Sequence, residues 1–176
     1  MMSLPANWEL GSIGELFETS TGATPKKSQP DNYGNDVPFV KPPELLNTDI
    51  FDTADNLSFK GAASSRTLPP GSILISCIGN LGKVGINSET VAFNQQINAI
   101  KPNDNYISKF MFFQALSEGF KVQLEKLASG TTVPIVNKSK FNSIEVVLPP
   151  IPEQKKIVAL LDTVFTDLEQ TRAKTE

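Results

Sequence analysis

The apolar positions of this 176-residue chain follow two rhythms. In the first part they come as short runs cut by glycine, proline and asparagine, which predicts strands joined by turns. Ser72 to Ile78 is the clearest strand, a β-rich run bounded by glycines. Val37 to Val40, Lys83 to Ile86 and Val91 to Phe93 predict further short strands, and Asn94 to Pro102 continues with strand-like alternation. Trp8 to Phe17 fits either a short strand or a helical turn, and Glu44-Leu-Leu-Asn47 fits one helical turn. From Ile107 the period becomes helical: Phe110, Phe113, Leu116 and Phe120 share a face, which Leu124 and Leu127 extend across a break near Gly119. Ile144 to Leu148 returns to a strand pattern and stops at Pro149-Pro150. Strands and helices mix without a repeating βα order, so the predicted fold class is α+β.

The last segment has a rhythm of its own. Pro152 and Glu153 suit the first turn of a helix, the one lacking an N–H that is not needed there, the other placed at the positive end of the dipole. Ile157, Leu161, Val164 and Leu168 then fall at spacings of 4, 3 and 4, the a/d stripe of a coiled coil. Thr171 and Thr175 continue the register with polar residues and weaken it. At 1.5 Å per residue such a helix extends about 35 Å. So narrow a stripe fits a partner helix better than the chain's own body. The expected division is a globular body over residues 1–148 and a spacer or dimerisation helix over residues 149–176.

Composition removes several chemistries. The chain has no histidine, hence no Ser-His-Asp triad, no histidine base and no histidine metal ligand. Its one cysteine, Cys77, cannot form an internal disulfide and sits in an apolar run, where it reads as a small buried hydrophobe. No metal or cofactor site is expected. Gly79-Asn-Leu-Gly-Lys-Val-Gly85 has neither the spacer nor the Gly-Lys-Ser/Thr ending of a phosphate-binding loop. No run approaches the length of a membrane span, and the start of the chain lacks the pattern of a signal peptide, so a cytoplasmic location is expected. Net charge is −3. That argues against nucleic acid only if the charges are mixed. Here Glu44, Asp49, Asp52 and Asp55 cluster, and Glu153, Asp162, Asp167, Glu169 and Glu176 load the terminal helix, whereas the lysines gather in loops. Asp49, Asp52 and Asp55 have no evident partner lysine, which speaks against a solitary nuclease.

Two polar stretches, Thr19 to Gly34 and Ser129 to Pro134, are longer and richer in turn residues than connection requires. They belong to an ordered series of nine short motifs. Trp8…Leu10-Gly11 comes first, then Gly22-Ala-Thr-Pro25, Tyr33-Gly34, Leu68-Pro-Pro-Gly-Ser-Ile-Leu-Ile-Ser76, Gly79-Asn-Leu-Gly-Lys83 and Asn94-Gln-Gln96. Gly130-Thr-Thr132, Asn137-Lys-Ser139 and Pro149-Pro-Ile-Pro-Glu-Gln-Lys-Lys-Ile157 close it. In this order the motifs resemble the specificity subunit of type I restriction-modification enzymes, over essentially the whole chain. The likeness is to one target recognition domain followed by one spacer helix. The resemblance implies a non-catalytic, cofactor-free subunit that binds one half of a split double-stranded DNA site. It also implies antiparallel pairing of the helix with a second copy or a second recognition domain, and docking of methyltransferase and restriction subunits. A full specificity subunit carries two such units, whereas this sequence carries one.

The residues suited to such a role follow from their chemistry. Phosphate contacts are expected from Lys26, Lys27, Lys83, Lys138 and Lys140 with the hydroxyls of Thr24, Thr131 and Thr132, while Gly22, Gly79, Gly82 and Gly130 permit close backbone approach. Base readout suits Gln95, Gln96, Asn80 and Arg66. If Gln95 and Gln96 lie in a strand they point to opposite faces, so only one faces DNA while the other bridges loops. A competing reading from another class is a protein-interaction adaptor that acts through its terminal helix alone and binds no DNA.

Overall fold

The computed structural model describes residues 4–173, so Met1, Met2, Ser3, Lys174, Thr175 and Glu176 lie outside the described residues, as do the side chains of Glu169, Arg172 and Ala173. In chain order the elements are β1 (Glu9–Ser12), α1 (Ile13–Leu16), β2 (Thr19–Thr21), β3 (Tyr33–Val40), β4 (Thr48–Asp49) and β5 (Asp55–Leu57). There follow α2 (Phe59–Ala63), β6 (Thr67–Leu68), β7 (Ile73–Ser76), β8 (Val84–Ile86), β9 (Val91–Phe93) and β10 (Ile97–Ile100). The chain ends with α3 (Ser108–Leu116), α4 (Glu118–Leu127), α5 (Lys138–Asn142), β11 (Glu145–Leu148) and α6 (Ile151–Ala173). The mixed α+β class is as expected. Trp8 to Phe17 holds both predicted alternatives in succession, a strand and then a helical turn.

A five-stranded sheet of order β2-β10-β7-β8-β4 forms the centre, and a four-stranded sheet of order β5-β3-β9-β6 lies beside it. All four residues of β7 and of β10 are buried, which explains why they read as continuous apolar runs. One cluster joins Ile73, Ile75 and Ile100 to Phe110, Phe120, Leu124 and Phe141, placing α3, α4 and α5 against the central sheet. The predicted helical face is therefore largely core. Its break falls at Ser117 rather than Gly119, because the Ser117 hydroxyl accepts from Phe120 N and starts a second helix.

β1 and β11 pair antiparallel as a separate ribbon, Glu9 opposite Leu148 and Ser12 opposite Glu145. Two glutamines close the outer edge of β11. Gln114 accepts from Val147 N at 2.8 Å and donates to Val147 O at 2.9 Å, and Gln123 does the same to Glu145 at 2.9 and 3.0 Å. Each side-chain amide stands in for the peptide of a missing strand, which leaves no free ladder on that edge.

β11 runs directly into α6, whose first half docks on the body. Gln154 is fully buried, and Ile157 and Val158 pack against the main core cluster. Ile157 is the first member of the predicted stripe, and the remaining members, Leu161, Val164 and Leu168, run along an adjacent flank. Val164 and Leu168 are 45% and 55% exposed, and Leu160 beside them is 65% exposed. The expectation of a helix held only by a partner is thus revised: one face already has an intramolecular partner in α3, Ile157 packs on the core, and the outer part of the heptad stripe, Val164 and Leu168, remains open.

Candidate nucleic-acid interface

The register of the central sheet gathers the predicted loops at one end. Antiparallel pairing sets Asn98 opposite Thr21 and Ile97 opposite Ser76. The end of β2, the end of β7 and the start of β10 therefore coincide. From them emerge the segment carrying Thr24, Lys26 and Lys27, the β7–β8 connection carrying Asn80 and Lys83, and the turn carrying Gln95 and Gln96. The segment with Thr131 and Thr132 joins them through main-chain bonds. Gly79 N donates to Pro134 O at 3.0 Å, and Val136 N donates to Cys77 O at 2.8 Å. Asn98, buried in β10, donates to Val136 O at 3.2 Å and accepts from the Thr21 hydroxyl, tying three segments to one side chain. α5 leaves from this end, so Lys138 stands near it, and Asn142 at its other end accepts from Thr19 at the start of β2.

The Gly22-Ala-Thr-Pro25 segment is pinned from two sides. Ala23 N donates to Phe93 O at 2.9 Å, and Thr24 Oγ1 donates to Gln95 Oε1 at 2.5 Å. From the other side Ser65 Oγ donates to Ala23 O at 2.5 Å and Arg66 Nη1 donates to Thr21 O at 2.6 Å. Arg66 is exposed, makes no ion pair among the described residues and retains further donors. Gln95 and Gln96 lie in a turn, not a strand, so the opposite-face argument fails. Asn94 sets that turn by accepting from Gln96 N at 3.1 Å and donating to Gln96 Oε1 at 2.9 Å. Gln96 is half-buried, its main-chain carbonyl accepting from Cys77 N, while Gln95 is exposed.

Lys26, Lys27, Lys83, Lys138 and Lys140 make no ion pair within 4 Å among the described residues, and neither do Lys126, Lys155 and Lys156 on α4 and α6, whereas Lys41, Lys60, Lys101, Lys109 and Lys121 each pair with a carboxylate. Asp49 is level with Ile86 and Glu89 follows β8, so both lie at the opposite end of the sheet from the loops. The acidic cluster is not without a lysine, as the sequence suggested: Lys41 bonds Asp55 at 2.6 Å. That hydrogen bond and its charge hold the Asp55 carboxyl below its ordinary range, and Lys27 adds a smaller pull. No group of three acidic or cysteine side chains among the described residues is placed to hold a metal. Burial pushes the Cys77 thiol up to about 11, so it is no nucleophile at neutral pH.

Sequence reasoning missed Ser65 and Asn98, which position the loops, because an isolated serine or asparagine carries no periodic signal. It placed Glu153 only at the positive end of the helix dipole and noted Gln154 only as part of a motif. In the structure Glu153 accepts from Trp8 Nε1 at 2.7 Å and from Asn7 Nδ2 at 2.8 Å. Gln154 accepts from Ile107 N at 2.8 Å and donates to Asn105 O and Pro149 O.

Comparison with known proteins gives the family and the fold. Residues 5–176 match the family model described as the type I restriction modification DNA specificity domain. The chain is 35% identical over 181 residues to the type I restriction enzyme HindI specificity subunit of Haemophilus influenzae, covering 98% of this chain and 39% of that one. It is 27% identical to the MjaIX specificity subunit of Methanocaldococcus jannaschii, covering 97% of this chain and 40% of that one. The chain thus spans about two fifths of the length of these relatives. Among solved structures, the HsdS subunit from Thermoanaerobacter tengcongensis superposes with a TM-score of 0.78 at 22% identity, over 99% of this chain and 42% of that one. A type I system S subunit from M. genitalium gives 0.64 at 17% identity, over 98% of this chain and 43% of that one.

Proposed function

The chain belongs to the type I restriction-modification DNA specificity family, and from that premise we propose that its loop end reads one half of a divided double-stranded DNA site. The observation that carries this reading is the convergence of four polar segments at one end of the central sheet, with lysines that have no carboxylate partner. Residues 1–148 act as the recognition unit and residues 149–176 as the spacer helix. The unit itself performs no chemistry. It works in the cytoplasm, where it positions methyltransferase and restriction subunits on the site.

The second half of the site is supplied by a second copy or a second recognition unit, joined as a coiled coil through Ile157, Leu161, Val164 and Leu168. Their 4-3-4 spacing is the same in both directions. An antiparallel pair with its two-fold axis between Asp162 and Thr163 opposes Ile157 to the partner copy's Leu168 and Leu161 to its Val164. Two identical readers related by that axis call for an interrupted palindrome. The exposed stripe would equally serve an adaptor that binds protein alone, and DNA binding decides between the two.

The test is binding of the purified chain, with and without its methyltransferase subunit, to duplexes over a range of salt. Lys26→Ala with Lys27→Ala is expected to weaken binding to all sequences alike and to reduce the slope of log affinity against log salt by about 2. An unchanged slope removes both lysines from the footprint. Arg66→Lys keeps the charge but loses the planar fork that matches guanine O6 and N7. It is expected to cut discrimination at one base pair by about 10- to 100-fold while other positions keep their preference. An equal loss across a panel of half-site variants would make Arg66 a phosphate contact.

A further inference from the structure

α6 is attached to the body at two separate places. The first is its root. Gln154 is 0% exposed and holds the backbone at Asn105, Ile107 and Pro149, while Glu153 holds Asn7 and Trp8. The second lies three turns further on. Phe165 stacks on Phe113 of α3 with ring centroids 5.5 Å apart and planes 1° from parallel. Asp162 pairs with Lys109 of the same helix at 3.3 Å, and that ammonium lies 5.8 Å from the Phe113 ring centroid. From Gln154 to Phe165 the axis advances about 16 Å. One attachment fixes where a helix begins. Two that far apart fix its direction, because a swing about the root must break the stack and the ion pair together.

Resting on the reading that a second recognition unit pairs with the heptad stripe, we infer that Phe165 and Asp162 are positioning residues. They set the direction in which the helix leaves the body, and through it the placement of one recognition unit relative to the other. Neither residue belongs to the stripe itself. On a helix at about 100° per residue, Phe165 and Asp162 share a face with Gln154 and Val158, and the stripe lies beside that face. The same helix therefore carries a docking face toward its own body and a pairing face toward a second unit. The stacked ring, the larger partner, carries most of the restraint. An ion pair whose side chains are 40% and 46% exposed contributes little by itself.

The test is a distance distribution from spin labels at Ser88→Cys, in a turn of the body, and Gln170→Cys, in the outer part of α6, with labelled chains diluted in unlabelled full-length chain. The parent is expected to give one narrow distance. Phe165→Ala with Asp162→Asn is expected to lose that single peak while the melting temperature stays close to the parent, and to lose discrimination among duplexes of different half-site spacing without loss of affinity for one half-site. Phe165→Tyr, which keeps a ring to stack, is expected to restore the narrow distance. A variant as narrow as the parent, or a parent already broad, overturns the inference. The distances need no DNA. A broadened variant of a chain that binds no duplex would keep the helix restraint and remove the DNA reading on which its consequence rests.

Discussion

Replacing Leu161 and Leu168 with aspartate is expected to leave a folded chain that no longer associates through its terminal helix. Leu168 is 55% exposed, and neither leucine belongs to the core clusters of the body. Ile157 and Val158, which do pack on that core, remain untouched. The root of α6 is held by Gln154 and Glu153, so the loss should not propagate into the fold. In a two-fold pair the substitutions remove four leucines from one seam. Even at about 1.5 kcal/mol for each, the total of about 6 kcal/mol weakens association roughly ten-thousand-fold. Four carboxylates placed in the same apolar seam add a desolvation cost to that loss. Sedimentation equilibrium should give a concentration-dependent dimer for the parent and a monomer for the variant, with circular dichroism showing equal helix content and melting. A variant that still sediments as a dimer would move the self-association to another surface. Loss of the dimer should also reduce binding to a divided palindrome to the level of a single half-site.

Much of this architecture is written in local patterns. The runs at Ser72 to Ile78 and Val91 to Phe93 are legible because strands buried on both faces need apolar side chains throughout. The face through Phe110, Phe120 and Leu124 is legible because one side of each helix meets the sheet. The order of strands is not legible. β4 pairs with β8, and β3 with β9, across dozens of residues, and no local signal encodes that choice. Gln95 and Gln96 show where pattern misleads: their alternation with Ile97 looks like a strand, but Asn94 bonds across them and closes a turn. The partnership of Lys41 with Asp55 was hidden for the same reason, since it joins two segments that only tertiary folding brings together. The terminal helix holds the subtler lesson. Its heptad stripe is plain, but Phe165 lies outside the register, and its partner Phe113 belongs to the apolar face of another helix. The candidate loops were legible by composition, being rich in Gly, Thr and Lys. Their meeting at one end of a sheet follows only from the register of β2, β7 and β10.

Gly22→Ala is expected to show how far that meeting depends on a single missing methyl. A Cβ on Gly22 would lie 2.1 Å from Asn94 O and 2.4 Å from Phe93 O. Both are main-chain atoms at the head of β10 and the end of β9, so no side chain can swing aside to make room. The segment must lift from the turn it rests on. Lifting breaks the Ala23 bond to Phe93 O and the Thr24 bond to Gln95, and it strains the Ser65 and Arg66 contacts on the other side. Overpacking in a closed site costs about 1–3 kcal/mol, and rigid backbone on two sides puts this one at the upper end. For a chain of this size that lowers the melting temperature by roughly 6–12 °C. Lys26 and Lys27 follow directly on the displaced segment, so affinity for every duplex should fall at least as far as in Lys26→Ala with Lys27→Ala. Gly79→Ala is the control. It stands at the same end of the sheet with φ +76° and nothing within 4 Å of a Cβ, so it carries only the cost of left-handed backbone, about 1–2 kcal/mol. If Gly22→Ala melted no lower than Gly79→Ala and bound DNA as the parent does, the close approach of the two loops would not be what holds this surface together.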